Sequence, residues 1–492
     1  MQLYDKDLLS MQEVRDLVEA AKEAQKELAT KSQAEVDHIV KAIADAGVRN
    51  AHRLAVMANE DTGFGRVEDK VVKNVFASRG VWEHIKDMKT IGELERDDAK
   101  GIRVIAVPVG VIAGLIPSTN PTSTALYKSE IAIKAGNAIV FSPHPTALRC
   151  IREAVKVIRQ AIAEAGGNEN LVSCISIPTM QATDNLMRHP DTAMILATGG
   201  SAMVRAAYSS GTPAIGVGPG NGPAYIERTC DLPLAVKRIL DSKTFDNGTI
   251  CASEQSIICD EDMVDAVKAE MTKQGAYFLD EDERAKLGRY ILRANGTMNP
   301  EIVGRSVQTI AKLAGLDKVP ETARVLVARE DGVGRGHPYS NEKLGPILAF
   351  YTGTDYKDVC DKVCTILHYE GAGHTFSMHT KDDKMVDYFA ARVPASRIIV
   401  NTPSTLGGIG ASTNLMPALT LGCGAVGGSA TSENVGPMQL LNKRYVAFGQ
   451  MEMEDIRASM PDCSDGICRM PEVDNIQVDE IVRKIIERLQ SM

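Results

Sequence analysis

IRVIAVPVGVIAGLIP, Ile102 to Pro117, is the stretch where the chain changes its period. β-Branched residues crowd it and Pro108 and Gly110 interrupt it, so it reads as strands. Upstream, residues 10 to 60 carry helical spacing, with Val14, Leu17, Val18 and Ala21 and then Val36, Ile39, Val40 and Ile43 on successive turns. Downstream the pattern alternates. A helix is expected around Tyr127 to Ala135, a strand at Ala138 to Phe141 and a helix at Ala147 to Glu164. A strand at Val172 to Ile177, a helix near Gln181 to His189, a strand at Thr192 to Ala197 and a helix from Ala202 follow. Strands that alternate with helices imply a parallel sheet covered on both faces, hence an α/β fold. A second α/β region runs from Leu232 to Gly424, with strands expected at Ser256 to Cys259 and Arg397 to Val400.

The chain has 492 residues, too many for one small core, and its length suggests two or three domains. Hydrophobic residues make up 44% and charged ones 24%, the balance of an ordinary globular protein. The net charge of −9 is spread over the chain, which argues against the basic stripe that nucleic acid binding needs. The N-terminus MQLYDKDLLSMQEV has no cationic region followed by an apolar core, and no apolar run approaches the roughly 18 residues of a membrane span. Ten cysteines without a regular framework read as reduced thiols. The expectation is a cytoplasmic protein that binds neither nucleic acid nor membrane.

The tail differs from the rest. Residues 451 to 475 hold two prolines, many acids and little apolar material, as an exposed linker would. VDEIVRKIIERLQ then places Val478, Ile481, Val482, Ile485 and Leu489 on one stripe of a short helix, opposite Arg483, Lys484, Glu487 and Arg488. Such a helix docks either on its own body or on another protein.

Chemistry concentrates in TFDNGTICASEQS, Thr244 to Ser256, where Cys251 follows a turn-like Asp246-Asn247-Gly248. A thiolate there can attack an aldehyde carbon, release hydride to a cofactor and keep the acyl group as a thioester. Taken alone, any one of the ten cysteines is more simply a small buried hydrophobe. ATGGS, Ala197 to Ser201, follows an apolar strand and opens a helix, where backbone N–H groups can meet a pyrophosphate. GVGPGNGPA, Gly216 to Ala224, is glycine-dense but lacks the GxGxxG spacing. In IPSTNPTST, Ile116 to Thr124, Asn120 precedes Pro121 and is biased to extended geometry at a strand end. Its amide N–H near Cys251 could hold an oxyanion, a donor whose loss raises a barrier by about 3 kcal/mol; a turn-stabilising asparagine is an equal reading. His374 and His379 suit packing better than proton transfer. Cys360 and Cys364, four apart on a helix, suit packing better than metal binding, and a redox or metal role for Cys463 and Cys468 has little support.

Together these segments resemble the aldehyde dehydrogenase superfamily, and within it the CoA-acylating branch, over residues 10 to 445. IPSTNP is similar to the segment with the family's oxyanion asparagine, which falls on Asn120. AGNAIVFSPHP, Ala135 to Pro145, resembles the strand and turn at the adenosine ribose; the common lysine is replaced by Ser142, with His144 as a substitute contact. NEKLGPIL is similar to the E-x-x-G-P motif whose glutamate, here Glu342, holds the nicotinamide ribose. GAGHTFSMHT, Gly371 to Thr380, and LTLGCGAVGGSATSENVGPMQLLN, Leu419 to Asn442, resemble segments of the acylating branch, and Cys251 matches the nucleophile.

The hydrolytic branch carries an E-L-G-G-K segment whose glutamate activates water. The corresponding GVGPGNG has no acid, so a thioester should outlive water and pass to a second thiol. The resemblance therefore implies a Rossmann-type cofactor domain over 1–228, with flap strands near 98–108, and an α/β catalytic domain over 229–425. Residues 426–450 return to the cofactor domain and complete the flap, with 436–449 in the β-flap that joins protomers into a dimer or tetramer. A linker at 451–475 and a helix at 476–492 follow. The roles implied are Cys251 and Asn120 in catalysis, and Thr198, Gly199, Gly200, Ser142, His144 and Glu342 around NAD, with coenzyme A as co-substrate and no metal. Acetaldehyde is the first choice among short aldehydes, then propionaldehyde or sulfoacetaldehyde. The tail helix resembles encapsulation peptides that bind the shell proteins of a bacterial microcompartment. A hydrolytic dehydrogenase and a non-catalytic shell-assembly protein are the alternatives.

Overall fold

The computed structural model describes residues 5–293 and 295–460. Two long helices, Lys6–Leu28 and Gln33–Thr62, open the chain; Ser32 caps the second through a reciprocal capping box with Glu35, and Gly63 ends it in the left-handed conformation. Strands β1 (Gly92–Asp97) and β2 (Ile102–Pro108) follow. Next come β3 (Val111–Ile116), β4 (Ala138–Pro143), β5 (Val172–Cys174), β6 (Thr192–Thr198) and β7 (Ala214–Val217). These five form one parallel sheet in the order β5-β4-β3-β6-β7. Counted from β3, that is the 3-2-1-4-5 order of a dinucleotide-binding fold, whose switch point lies between β3 and β6. The Ile102–Pro117 stretch is thus two strands in two different sheets, divided by Val109 and Gly110, the latter at φ 127°.

Strands β8 (Pro223–Ile226), β9 (Ser256–Asp260), β10 (Ala276–Phe278), β11 (Val325–Arg329), β12 (Ile347–Gly353), β13 (Gly373–His379) and β14 (Ala395–Val400) make a seven-stranded sheet, in the order β10-β11-β12-β9-β8-β13-β14. Its pairings are parallel throughout. Strand β8 precedes residue 228 yet pairs in this second sheet, because residues 218–222 carry the chain directly from the end of β7 into it. Every residue of β3 and β4 is buried, as parallel strands covered on both faces should be. So are all fourteen residues of the helix Pro121–Lys134, which packs on the helix Gln33–Thr62 and beside β3 and β4. Cys360, on the helix Tyr356–Tyr369, packs into the core of the second sheet.

Both sheets lie in one compact unit, residues 1–92 and 106–442. A second unit takes residues 93–105 and, among the described residues, 443–460. Strands β1, β2 and β15 (Leu441–Ala447) form a three-stranded sheet in the order β1-β2-β15, and its strand Gly92–Asp97 lies ahead of the segment 98–108 expected for the flap. Within the segment expected to be an exposed linker, Met453–Ala458 is a short exposed helix. The expected helix at 476–492 lies outside the described residues.

Candidate functional site

The site is assembled from the carboxyl ends of the five-stranded sheet and the amino ends of the seven-stranded one. Asn120 follows β3 and the turn Thr198–Gly200 follows β6, flanking the switch point where ligands meet open α/β sheets. Cys251 lies just before β9, Glu342 just before β12, and His374 is the second residue of β13.

Cys251 is half-buried. Burial raises its thiol to about 12; the Glu342 carboxylate and the neighbouring Cys423 thiol push the same way, while the Arg397 guanidinium opposes them. Arg397 is buried and held by backbone oxygens, donating from Nη1 to Gly422 O at 2.7 Å and from Nη2 to His374 O at 2.8 Å. Cys423 is buried, and burial carries its thiol up to about 11 despite Arg397 beside it. Neither Arg397 nor Cys423 stands out in the sequence. The one available signal was an arginine inside the apolar run ASRIIV.

The glycine-rich loop 218–222 packs directly on Cys251. A Cβ on Gly220 would come within 2.3 Å of the Cys251 carbonyl oxygen and 2.8 Å of the His374 ring, so only glycine fits. Gly220 donates its N–H to Glu342 Oε1 at 2.8 Å. Burial, then Glu370 nearby, raises the Glu342 carboxyl to about 8; Glu370 Oε2 also accepts the Glu342 N–H at 2.6 Å. The loop has no acid of its own, but a carboxylate from another element stands against it.

Asn120 occupies the N-cap position of Pro121–Lys134 without capping it. Its Oδ1 accepts from Lys73 Nζ at 2.6 Å, and its Nδ2 reaches Thr249 O at 3.4 Å and Thr119 Oγ1 at 3.2 Å. Thr249 is two residues before Cys251, which brings the amide to the turn that carries this thiol. Lys73 and Lys70, like Arg397, are residues that sequence reading missed. Both are buried on the helix Val67–Val75 and both reach Asp246, Lys70 at 3.0 Å. The pair spaced three apart in EDKVVKN was the signal, and periodicity reads it as a solvated face.

At the cofactor end, Gly200 starts the helix Ser201–Tyr208 with no side-chain cap, and a Cβ there would meet nothing within 4 Å. The Met203 N–H is taken by Gly200 O at 3.0 Å, which leaves the Ser201 and Ala202 N–H groups at the helix start to fit a phosphate. Thr198 Oγ1 lies 3.0 Å from Thr420 Oγ1. Ser142 is buried with its hydroxyl on Thr183 Oγ1 at 2.8 Å, whereas His144 is exposed and bonded to Thr146 Oγ1 at 2.8 Å. Ser142 lies near the end of β4 and His144 follows it, one strand away from the switch point.

His374 and His379 are both buried. His374 Nδ1 meets Thr375 Oγ1 at 2.9 Å while its Nε2 is unpartnered, and burial holds its pKa well below the usual value. Both ring nitrogens of His379 lack partners, and burial lowers it to about 4. Among the described residues, Glu330, Asp331 and His337 form the one group spaced to hold a metal, and none of them belongs to this site. No described helix is long and apolar enough to cross a membrane.

Residues 4–317 match the model of the aldehyde dehydrogenase family. Over 440 residues the chain is 46% identical to the bifunctional aldehyde-alcohol dehydrogenase of Escherichia coli K12, covering 88% of this chain and 49% of that protein. It therefore spans about half the length of that relative. A probable aldehyde dehydrogenase from Listeria monocytogenes EGD-e superposes with a TM-score of 0.91 at 62% identity, covering 92% of this chain and all of that one. An acetylating aldehyde dehydrogenase from Geobacillus thermoglucosidasius does so with a TM-score of 0.90 at 50% identity, over 92% of this chain and 99% of that one.

Proposed function

The chain belongs to the aldehyde dehydrogenase family, and from this we propose that it oxidises a short aldehyde with NAD and passes the acyl group to coenzyme A. The similarity to a protein named as acetylating supports this reading. In it, Cys251 adds to the aldehyde carbon, and the Asn120 amide with the Cys251 backbone N–H holds the oxygen as its charge develops. Bound NAD would supply the hydride acceptor. The Thr198-Gly199-Gly200 turn would hold its phosphates, and Glu342 its nicotinamide ribose. Ser142 and His144 would flank the adenosine ribose, with His144 the freer of the two because the Ser142 hydroxyl is already engaged by Thr183. Acetaldehyde is the proposed substrate.

One observation carries the choice of acyl acceptor. The loop packed on Cys251 supplies no carboxylate from its own residues, so no general base for water comes from the loop position that serves the hydrolytic branch. A second reading has a specific observation too. Glu342, with its carboxyl near 8, is bonded to that loop and could serve water instead. Product analysis separates them. With coenzyme A the product is acyl-CoA; without it, NADH appears as a single burst of about one equivalent per Cys251. Continued free-acid formation without coenzyme A, at the rate seen with it, would overturn the acylating reading. Cys251→Ala should abolish NADH formation while NAD still binds, and retained turnover would remove Cys251 from its role.

Two finer proposals rest on sequence. The stripe Val478, Ile481, Val482, Ile485 and Leu489 supports docking of the tail onto microcompartment shell proteins. Deleting residues 471–492 should leave activity intact and release the enzyme from shells. Loss of activity with unchanged location would make the tail a structural part of the enzyme. The flap strand β15 supports pairing of protomers into a dimer or tetramer.

A further inference from the structure

Lys73 is far from Cys251 in sequence and is buried, yet it touches the two elements that flank the nucleophile. Its ammonium meets Asn120 Oδ1 at 2.6 Å, Thr249 Oγ1 at 2.9 Å and the Asp246 carboxylate. Asp246 is fully buried and gathers further partners: Lys70 Nζ at 3.0 Å, the Arg66 N–H at 2.7 Å and the Thr249 hydroxyl at 2.8 Å. Its own N–H donates to Asp69 Oδ2 at 2.8 Å. A buried charge surrounded in this way is held rigidly, because any rearrangement would leave it uncompensated.

The consequence for Asn120 follows from the inventory of donors. An asparagine amide can turn over and exchange its oxygen for its nitrogen, and nothing intrinsic to the side chain decides which end faces the site. An ammonium has only donors, so the end beside Lys73 must be the oxygen. The NH2 is then committed to the other side, toward Thr249 O, at a loose 3.4 Å. A donor held weakly at rest is free to move onto an oxygen developing charge at the carbon bound to Cys251. The helix below adds nothing to this choice, since Asn120 makes no capping bond to it.

We propose that Lys73 is a positioning residue for the oxyanion donor: it fixes which face of the Asn120 amide the substrate meets and ties that amide to the turn bearing Cys251. This rests on the reading of Asn120 as the oxyanion donor. Lys70 provides the internal comparison, because it pairs with the same Asp246 oxygen while the hydrogen bond to Asn120 comes from Lys73.

The test is a double-mutant cycle on full-length enzyme, read as kcat and KM for acetaldehyde with coenzyme A present and as NAD affinity. Asn120→Ala should lower kcat by about a hundredfold to a thousandfold with little change in KM. Lys73→Met should lower kcat by about tenfold to a hundredfold with NAD affinity unchanged. If Lys73 works through Asn120, Lys73→Met combined with Asn120→Ala is no slower than Asn120→Ala alone, and Lys73→Arg restores much of the loss. Lys70→Met should instead multiply with Asn120→Ala. If Lys73→Met does not fold, Lys73→Gln enters the same cycle, because its amide offers both donor and acceptor and no longer dictates the orientation. Losses from Lys73 and Asn120 that multiply would overturn the proposal and leave Lys73 as a support of the turn, with Asn120 still the donor. Wild-type kcat in Asn120→Ala would overturn both that reading of Asn120 and the positioning role built on it.

Discussion

Arg397 and Glu342 act on the Cys251 sulfur with opposite signs: the guanidinium favours thiolate, and the carboxylate, together with burial, favours thiol. Burial decides the balance on the thiol side, so little thiolate is present at neutral pH. Alkylation of Cys251 by iodoacetamide should therefore quicken by about tenfold for each unit that pH rises, up to the raised thiol value. Glu342→Gln removes a negative charge that opposes ionisation, so its thiol should titrate lower and be alkylated several-fold faster at pH 9. An unchanged or slower rate would show that Glu342 does not reach the sulfur. The same carboxylate is the residue the sequence assigns to the ribose, and the structure holds it on the Gly220 N–H. Cofactor binding would have to draw it off that bond. That relation was not legible in sequence, because Gly220 and Glu342 are 122 positions apart and meet only where the loop entering β8 faces the one entering β12.

The turn before Cys251 shows what local sequence can and cannot convey. Asp-Asn-Gly announces a turn, and the structure holds three successive residues left-handed: Asp246 at φ 48°, Asn247 at 52° and Gly248 at 72°. Only the third is glycine, so the first two are strained and need outside support. Asn247 Nδ2 finds Gly304 O at 2.9 Å, and Asp246 has its buried lysines. Gly65 makes room for that carboxylate: a Cβ there would lie 1.8 Å from Asp246 Oδ1, on a backbone already at φ 69°. Gly65→Ala should cost about 2 kcal/mol or more of stability, through both the clash and the left-handed backbone, and should lower kcat as well. Wild-type melting and turnover together would mean that the turn tolerates displacement. The alternation of strands and helices was readable because each element carries its own period. The charged support was not, because lysines three apart on a helix look like solvent-facing residues unless their partner, 176 and 173 positions away, is known.

At the scale of the molecule, the second unit carries an unusual density of uncovered apolar side chains. Tyr445 is 64% exposed and Phe448 51%, on and just beyond β15. A strand of this kind is the sort of surface that another protomer covers. Replacing Tyr445 and Phe448 together by Asp should lower the molar mass seen by light scattering, and an unchanged mass would place the protomer contact elsewhere. The Asp246 cluster has a different molecular consequence. Its bonds close loops of 173 to 180 residues, among them the one from Arg66 to Asp246. Contacts of such separation form late, after the entropy of a long loop has been met. During folding the turn before Cys251 should therefore be the last part of the site to order, with Cys251 accessible to oxidants before burial and Arg397 surround it. Refolded enzyme should accordingly regain its secondary structure before its activity, and a reductant present in that interval should raise the yield of active sites.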